Sequence, residues 1–153
     1  MSVVIRRAES HDSRMLIHLR KTLSEEGTYL PYSDEDVIDD YRILKHGGAK
    51  WHYQLLEKNK EVIGFLLLQC NNTFIGYVSL GILPEHRRQG YASTLLDKAI
   101  GLAIDSGFAI LTLYVAITNE KAINLYHKYG FEIKAEEEVA DDYSLCYKMV
   151  LEL

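Results

Sequence analysis

Val62-Ile-Gly-Phe-Leu-Leu-Leu-Gln-Cys-Asn-Asn-Thr-Phe-Ile-Gly-Tyr-Val-Ser-Leu-Gly-Ile-Leu-Pro84 runs for 23 residues without a charge. As a single helix it is long enough to span a bilayer. Its centre, however, reads Gln69-Cys70-Asn71-Asn72-Thr73, a polar cluster rich in turn formers. Apolar, β-branched and aromatic residues flank that cluster on both sides, the pattern of two strands joined by a turn rather than of one broken helix. We read Val62 to Cys70 and Thr73 to Leu83 as strands connected at Asn71-Asn72, and expect no membrane span.

Reading outward, Trp51 to Glu57 is a third strand-like run, joined through Lys58-Asn59-Lys60, so an antiparallel meander is expected. Upstream, Val3 to Ala8 reads as a strand. Asp12 or Ser13 is placed to cap a helix with Met15, Leu16, Leu19 and Leu23 near one face. Glu25 to Tyr32 reads as a loop. Ser33, followed by Asp34-Glu35-Asp36, has the form of a capping box opening a second helix that Gly47-Gly48 ends. Downstream, Pro84 stops the strand, and Ala92, Leu95, Leu96, Ala99, Leu102 and Ala103 mark a helix from Gly90 to about Ser106. Phe108 to Ile117 reads as a buried strand, and a helix runs from Asn119 to Gly130. Phe131 to Val139 and Tyr143 to Leu151 are two further strands around Ala140-Asp141-Asp142. The order β-α-α-β-β-β-α-β-α-β-β describes one α/β (α+β type) domain over residues 1–153. Its central sheet is mixed, mostly antiparallel, of about seven strands, with four flanking helices.

Composition agrees with an ordinary globular chain: 153 residues, 48% hydrophobic and 25% charged, with only 2 prolines. Lys+Arg 17 against Asp+Glu 22 gives a net charge of −5, which argues against nucleic acid or anionic membrane as partner. Cys70 and Cys146 are the only cysteines, too few for a disulfide framework and not a metal-type pair. No metal site is expected. Free thiols and a start, Met1-Ser-Val-Val-Ile-Arg-Arg7, that reverses the charge order of a signal peptide indicate a cytoplasmic protein.

One segment departs from the acidic balance: Pro84-Glu-His-Arg87-Arg88-Gln89-Gly90-Tyr91-Ala92-Ser93-Thr94. A strand ends, two arginines and a glycine follow, and a long helix begins. The first turn of a helix carries unpaired N–H groups and the positive end of the dipole. Gly90 lets a ligand approach the backbone closely, and Ala92 and Ser93 keep the approach clear. Arg87 and Arg88 add charge-assisted donors. These features describe a seat for a phosphate or pyrophosphate. Neither GxxxxGK[ST] nor GxGxxG is present.

Arg87-Arg88-Gln89-Gly90-Tyr91-Ala92 resembles the [RQ]-x-x-G-x-[GA] signature of the GNAT superfamily of N-acetyltransferases. About 30 residues on, Asn119-Glu-Lys-Ala122-Ile-Asn-Leu125-Tyr126-His-Lys-Tyr-Gly130-Phe131 is similar to its N-x-x-A-x-x-L-Y-x-x-x-G-F motif. The element order is that of the family from end to end. The resemblance implies acetyl-CoA as cofactor. Its pyrophosphate would rest on the backbone amides of Arg88, Gln89, Gly90, Tyr91, Ala92 and Ser93, with Arg87 and Arg88 balancing the charge. Leu80 and Ile82 would contact the pantetheine arm, which lies along their strand where it splays from the next one. Asn119 resembles the polar contact to the arm, and Tyr126 the general acid near the thioester sulfur.

A phenol with a pKa of about 10 is matched to protonating a thiolate of comparable basicity. The acceptor amine must lose a proton before it attacks, yet the strand from Thr73 to Leu83 lacks the glutamate that some relatives place there. The base is therefore unassigned. Acidic residues in and after the first two helices (Glu25, Glu26, Asp34, Glu35, Asp36, Asp39, Asp40) and at Glu136 to Glu138, Asp141 and Asp142 read first as a solvated face. They also suit a cationic acceptor such as a polyamine, an aminoglycoside or a basic peptide. The reading is an enzyme transferring acetyl to a primary amine by direct attack in a ternary complex. Its alternatives are acetylation of a protein N-terminus or lysine, and a CoA-binding regulatory domain without chemistry. Dimers are frequent in the family, so a homodimer is one expectation that the resemblance carries.

Overall fold

Asn59 and Lys60 both hold left-handed backbone, with φ of 53° and 69°, the torsions that a two-residue hairpin turn requires at its centre. They join β2 (Trp51–Lys58) to β3 (Glu61–Cys70), and the register Lys58↔Glu61 follows directly. In the computed structural model, residues 3–26, 32–46, 51–70, 74–138 and 144–153 are described. The expected turns at Asn71-Asn72 and Ala140-Asp141-Asp142, the helix stop at Gly47-Gly48, the strand ends at Thr73, Val139 and Tyr143, and most of the loop before Tyr32 lie outside these residues.

The remaining elements are β1 (Val3–Arg7), α1 (Ser13–Ser24), α2 (Asp34–His46), β4 (Ile75–Ile82), α3 (Tyr91–Asp105), β5 (Ile110–Ala116), α4 (Glu120–Lys128), β6 (Glu132–Glu138) and β7 (Leu145–Glu152). They form one seven-stranded sheet in the order β1-β2-β3-β4-β5-β7-β6, antiparallel at every pairing except the parallel β4–β5 step. The mixed, mostly antiparallel sheet with four helices is therefore present as read. The charge-free stretch lies in β3 and β4. No helix among the described residues is long and apolar enough to cross a membrane.

Alternation along the central strands divides the core into two layers. Leu66 and Leu68 of β3, with Val78 and Ile82 of β4, pack with Leu95, Leu96 and Ala99 of α3 and with Tyr126 and Phe131. Phe65 and Leu67 face the other way, onto Leu16, Leu19 and Leu23 of α1 and Ile43 and Leu44 of α2. Gly64 is required where β3 passes β4: a Cβ there would stand 2.6 Å from Ile82 Cδ1 and 2.8 Å from the Gly81 carbonyl oxygen.

Two polar clusters fix the α1–α2 side. The Arg20 guanidinium donates to both Asp40 oxygens at 3.0 and 2.9 Å and to Tyr53 Oη at 3.2 Å, while the Tyr32 hydroxyl donates to Asp40 at 2.5 Å. Asp40 is 1% exposed, so this pair satisfies a charge that burial would otherwise make costly. Burial pushes the Tyr53 phenol well above its ordinary pKa. The capping box at Ser33 is present, with Asp36 Oδ2 accepting from the Ser33 N–H at 2.9 Å and the Asp36 N–H donating to Ser33 Oγ at 3.2 Å. Asp12 differs from the expected cap. Its carboxylate accepts from the Glu9 N–H and from two nitrogens of Arg6 at 2.9 and 2.8 Å, and makes no cap bond to α1. A buried carboxylate gains more from a guanidinium than from one amide.

Candidate active site

The parallel register of β4 and β5 runs from Ile75↔Ile110 to Val78↔Leu113 and stops. β4 nevertheless continues to Ile82, and β5 to Ala116, where it pairs only with β7. The two strands splay. The Leu83 N–H donates to the Ile63 carbonyl, so in the alternation of an antiparallel pair Ser79 and Gly81 bond β3. Leu80 and Ile82 then turn their N–H and C=O groups to the opposite edge, the one β5 has left. This is where the family resemblance places an extended ligand arm.

Beyond β4 the chain makes a short 3-10 turn over Pro84–His86, extends at Arg87, and takes left-handed backbone at Arg88 (φ 62°) and Gly90 (φ 84°). Apart from the proline itself, no local pattern signals that 3-10 turn. Gly90 is the N-cap of α3, which has no side-chain cap and no acid in its first turn. The first intrahelical bond is from the Thr94 N–H to the Gly90 carbonyl. The N–H groups of Tyr91, Ala92 and Ser93 are thus left for something outside the helix.

A cleft of about 930 Å³ opens at this place, between the end of β4 and the starts of α3 and α4. It is lined by Leu80, Ile82, Arg87, Arg88, Gly90, Tyr91, Ala92, Ser93, Asn119 and Tyr126, every sequence-predicted site residue except Gln89. The Gln89 side chain instead accepts from Lys58 Nζ at 3.0 Å, and that ammonium sits 5.5 Å above the Tyr91 ring. The hairpin between β2 and β3 thereby braces the turn.

The two arginines are not equivalent. Arg88 is exposed and makes no ion pair among the described residues. Arg87 places Nη1 and Nη2 on the two Glu26 carboxylate oxygens at 2.7 and 2.6 Å, and its Nε donates to the Ile82 carbonyl at 2.9 Å.

Asn119 is the N-cap of α4, its side-chain oxygen accepting from the Ala122 N–H at 3.3 Å. Tyr126 is buried, with its ring edge-on to Phe131 at a centroid distance of 5.8 Å. Tyr129, partly buried against the α3-side core, also carries a polar bond. Its hydroxyl donates to Asp97 Oδ1 at 2.8 Å and lies 3.2 Å from the Ser93 carbonyl oxygen, tying α4 to the start of α3. Burial and then Asp97 push its pKa up. His127, about 100° around α4 from Tyr126, is exposed.

Glu26, His86, Thr118 and Lys121 also line the cleft and were not singled out as site residues from sequence. Lys121 lies inside the second motif and His86 beside the arginines, so proximity in sequence could have found both. Glu26 lies 61 residues from Arg87, and no local pattern signals that pairing. Among the described residues, no three His, Cys, Asp or Glu side chains converge on a metal position.

Residues 16–131 match the Acetyltransferase (GNAT) family. The uncharacterized N-acetyltransferase MJ1207 of Methanocaldococcus jannaschii is 29% identical over 116 residues, covering 63% of this chain and 51% of its own. The spermidine N(1)-acetyltransferase of Vibrio cholerae is 31% identical over 109 residues, covering 66% of this chain and 61% of its own. The chain thus spans about half to three-fifths of the length of these two relatives. The solved structure of yncA, a putative acetyltransferase from Salmonella typhimurium with its cofactor acetyl-CoA, shares the fold. It superposes with a TM-score of 0.80 at 18% identity, over 100% of this chain and 95% of that one. With more than half of its residues matched by the family and its architecture shared from end to end, the chain belongs to the GNAT acetyltransferase family.

Proposed function

We propose that the cleft binds acetyl-CoA and that the protein transfers the acetyl group to the primary amine of a small cationic acceptor, by direct attack in a ternary complex. The observation that carries this reading is the splay of β4 and β5 running straight into an uncapped helix start. One edge offers alternating amide and carbonyl groups to an extended arm, and the other end offers free N–H groups to an anion.

The residues present fit that molecule. The N–H groups of Tyr91, Ala92 and Ser93, with the backbone of Arg88, Gln89 and Gly90, would seat its pyrophosphate, and Arg88 would supply positive charge beside it. A Cβ placed on Gly90 would meet nothing within 4 Å, so the space above the turn is open. Leu80 would hold the arm through its outward N–H and C=O and Ile82 through its N–H, its carbonyl being taken by Arg87, and Asn119 would lie beside the arm at the start of α4. Acetyl-CoA supplies an acyl group activated as a thioester. Tyr126, buried on the cleft wall, holds a phenolic proton at Oη for the sulfur that leaves.

A cationic acceptor is supported by the exposed acids Asp34, Glu35 and Asp39 on α2 and Glu136 to Glu138 on β6, and by the Vibrio cholerae spermidine acetyltransferase among the relatives. The test is an initial-rate study with acetyl-CoA and spermidine both varied, the product identified by mass spectrometry. Acetylated spermidine and intersecting double-reciprocal lines are expected. Parallel lines, the mark of an acyl-enzyme, would overturn direct attack, and absence of any acetylated amine would overturn the activity.

A further inference from the structure

We propose that Glu26 and Arg87 form a latch that positions the cofactor turn, and that Arg87 is not itself a ligand of the pyrophosphate. The inference rests on the cofactor reading above and concerns residues that the reading leaves unexplained. All three of the nitrogen positions that Arg87 presents are engaged: Nη1 and Nη2 on the Glu26 carboxylate, and Nε on the Ile82 carbonyl. A bidentate guanidinium–carboxylate pair with a third donor bond has a fixed direction, which a single point charge does not.

The latch joins the two layers of the molecule. Glu26 follows α1, and its N–H donates to the carbonyl of Leu23, a residue fully buried in the α1–α2 core. Ile82 belongs to the other core, beneath α3, and Leu83 immediately after it packs back against the α1–α2 side. Ile82 and Leu83 face opposite layers by strand alternation. Arg87 ties the end of β4, through the Ile82 carbonyl, to Glu26 on the α1–α2 side. Its Nε also occupies the Ile82 carbonyl on the open edge of β4. The arginine thus fixes the end of the edge along which the arm lies and the start of the turn that seats the anion. Glu26 and Arg87 act on the cofactor through Ile82 and the turn, as positioning residues. Arg88, with no ion pair among the described residues, is the arginine left for the anion.

The test is calorimetric titration of CoA into the wild type, Glu26→Ala, Arg87→Ala, the double variant and Arg87→Lys. Unfolding midpoints are measured alongside, to confirm that each variant is folded. The latch predicts that each alanine variant weakens CoA binding by about tenfold and that the double variant is no weaker than either single, because the two residues act as one unit. Arg87→Lys should behave like Arg87→Ala, since an ammonium reproduces neither the fork nor the Nε bond. If Arg87 instead ligates the pyrophosphate, Glu26→Ala leaves CoA affinity unchanged or raises it, and Arg87→Lys retains most of it. Either result overturns the latch. A wild type that fails to bind CoA overturns the cofactor reading itself, a distinct outcome visible before any variant is compared.

Discussion

Val78 and Leu113 are the last residues at which β4 and β5 face one another. Everything assigned to the cleft lies beyond that pair. Had the parallel ladder continued, β5 would have taken the outward backbone groups of Leu80 and Ile82. The parting of two neighbouring strands thus leaves hydrogen-bonding groups at a central position of the sheet, where they are normally consumed.

Tyr126→Phe should lower kcat by about 10²-fold, the lower range for loss of a general acid. The ring and its edge-on contact with Phe131 are retained, so acetyl-CoA affinity should change little. Steady-state kinetics together with a CoA titration separate the two effects. Unchanged turnover would remove Tyr126 from the acid role.

Gly90→Val places a branched side chain on left-handed backbone, at a cost of about 1–2 kcal/mol. Its Cβ meets no protein atom within 4 Å, so the chain should still fold. The new side chain would stand over the free N–H groups of α3 and weaken CoA binding strongly. Gly107→Val is the matched control, because Gly107 has a φ of +81° and equally open surroundings but lies past the far end of α3. The control should lose similar stability and keep its CoA affinity.

Asp40→Ala leaves the Arg20 guanidinium buried between the Tyr32 and Phe65 rings without its carboxylate. Breaking a buried pair from one side costs about 3–5 kcal/mol, and the urea midpoint should fall accordingly. Replacing both partners with apolar residues, as in Arg20→Met with Asp40→Leu, should recover much of the loss.

Acid unfolding should carry the signature of Asp12. The hydrogen bonds from Arg6 hold its carboxyl below the ordinary value of 3.8. A depressed folded pKa means that the unfolded chain takes up the proton first. The stabilisation is therefore complete above about pH 3.8 and is lost as pH falls through the folded value. Urea midpoints of wild type and Asp12→Asn should differ at pH 6 and converge at lower pH. A constant difference across that range would show that the carboxylate's charge is not the source.

Much of this was legible in the sequence because the punctuation is local. Pro84 after an apolar run, Gly90 before a helical stripe and Asn119 at a helix start each act within a few residues, and periodicity supplied the rest. The Ser33 capping box could be read for the same reason. The partner of a charge could not. Arg87 reads as a charged donor at a helix start, and nothing local signals that Glu26, far away in sequence, is brought beside it. Asp12 reads as a helix cap until the sheet brings Arg6 to it. Side-chain pairing across layers depends on how the layers stack, and periodicity within one segment carries no record of that.

The proposed activity needs a cleft that both seats acetyl-CoA and gives up its acetyl group to an amine. Release of free thiol from acetyl-CoA, followed over a panel of polyamines, aminoglycosides and peptides with free N-termini, tests it most directly. Saturable, amine-dependent release, fastest with a small polycation, is expected. Saturable CoA binding with no release on any amine would contradict it and leave a cofactor-binding domain without chemistry.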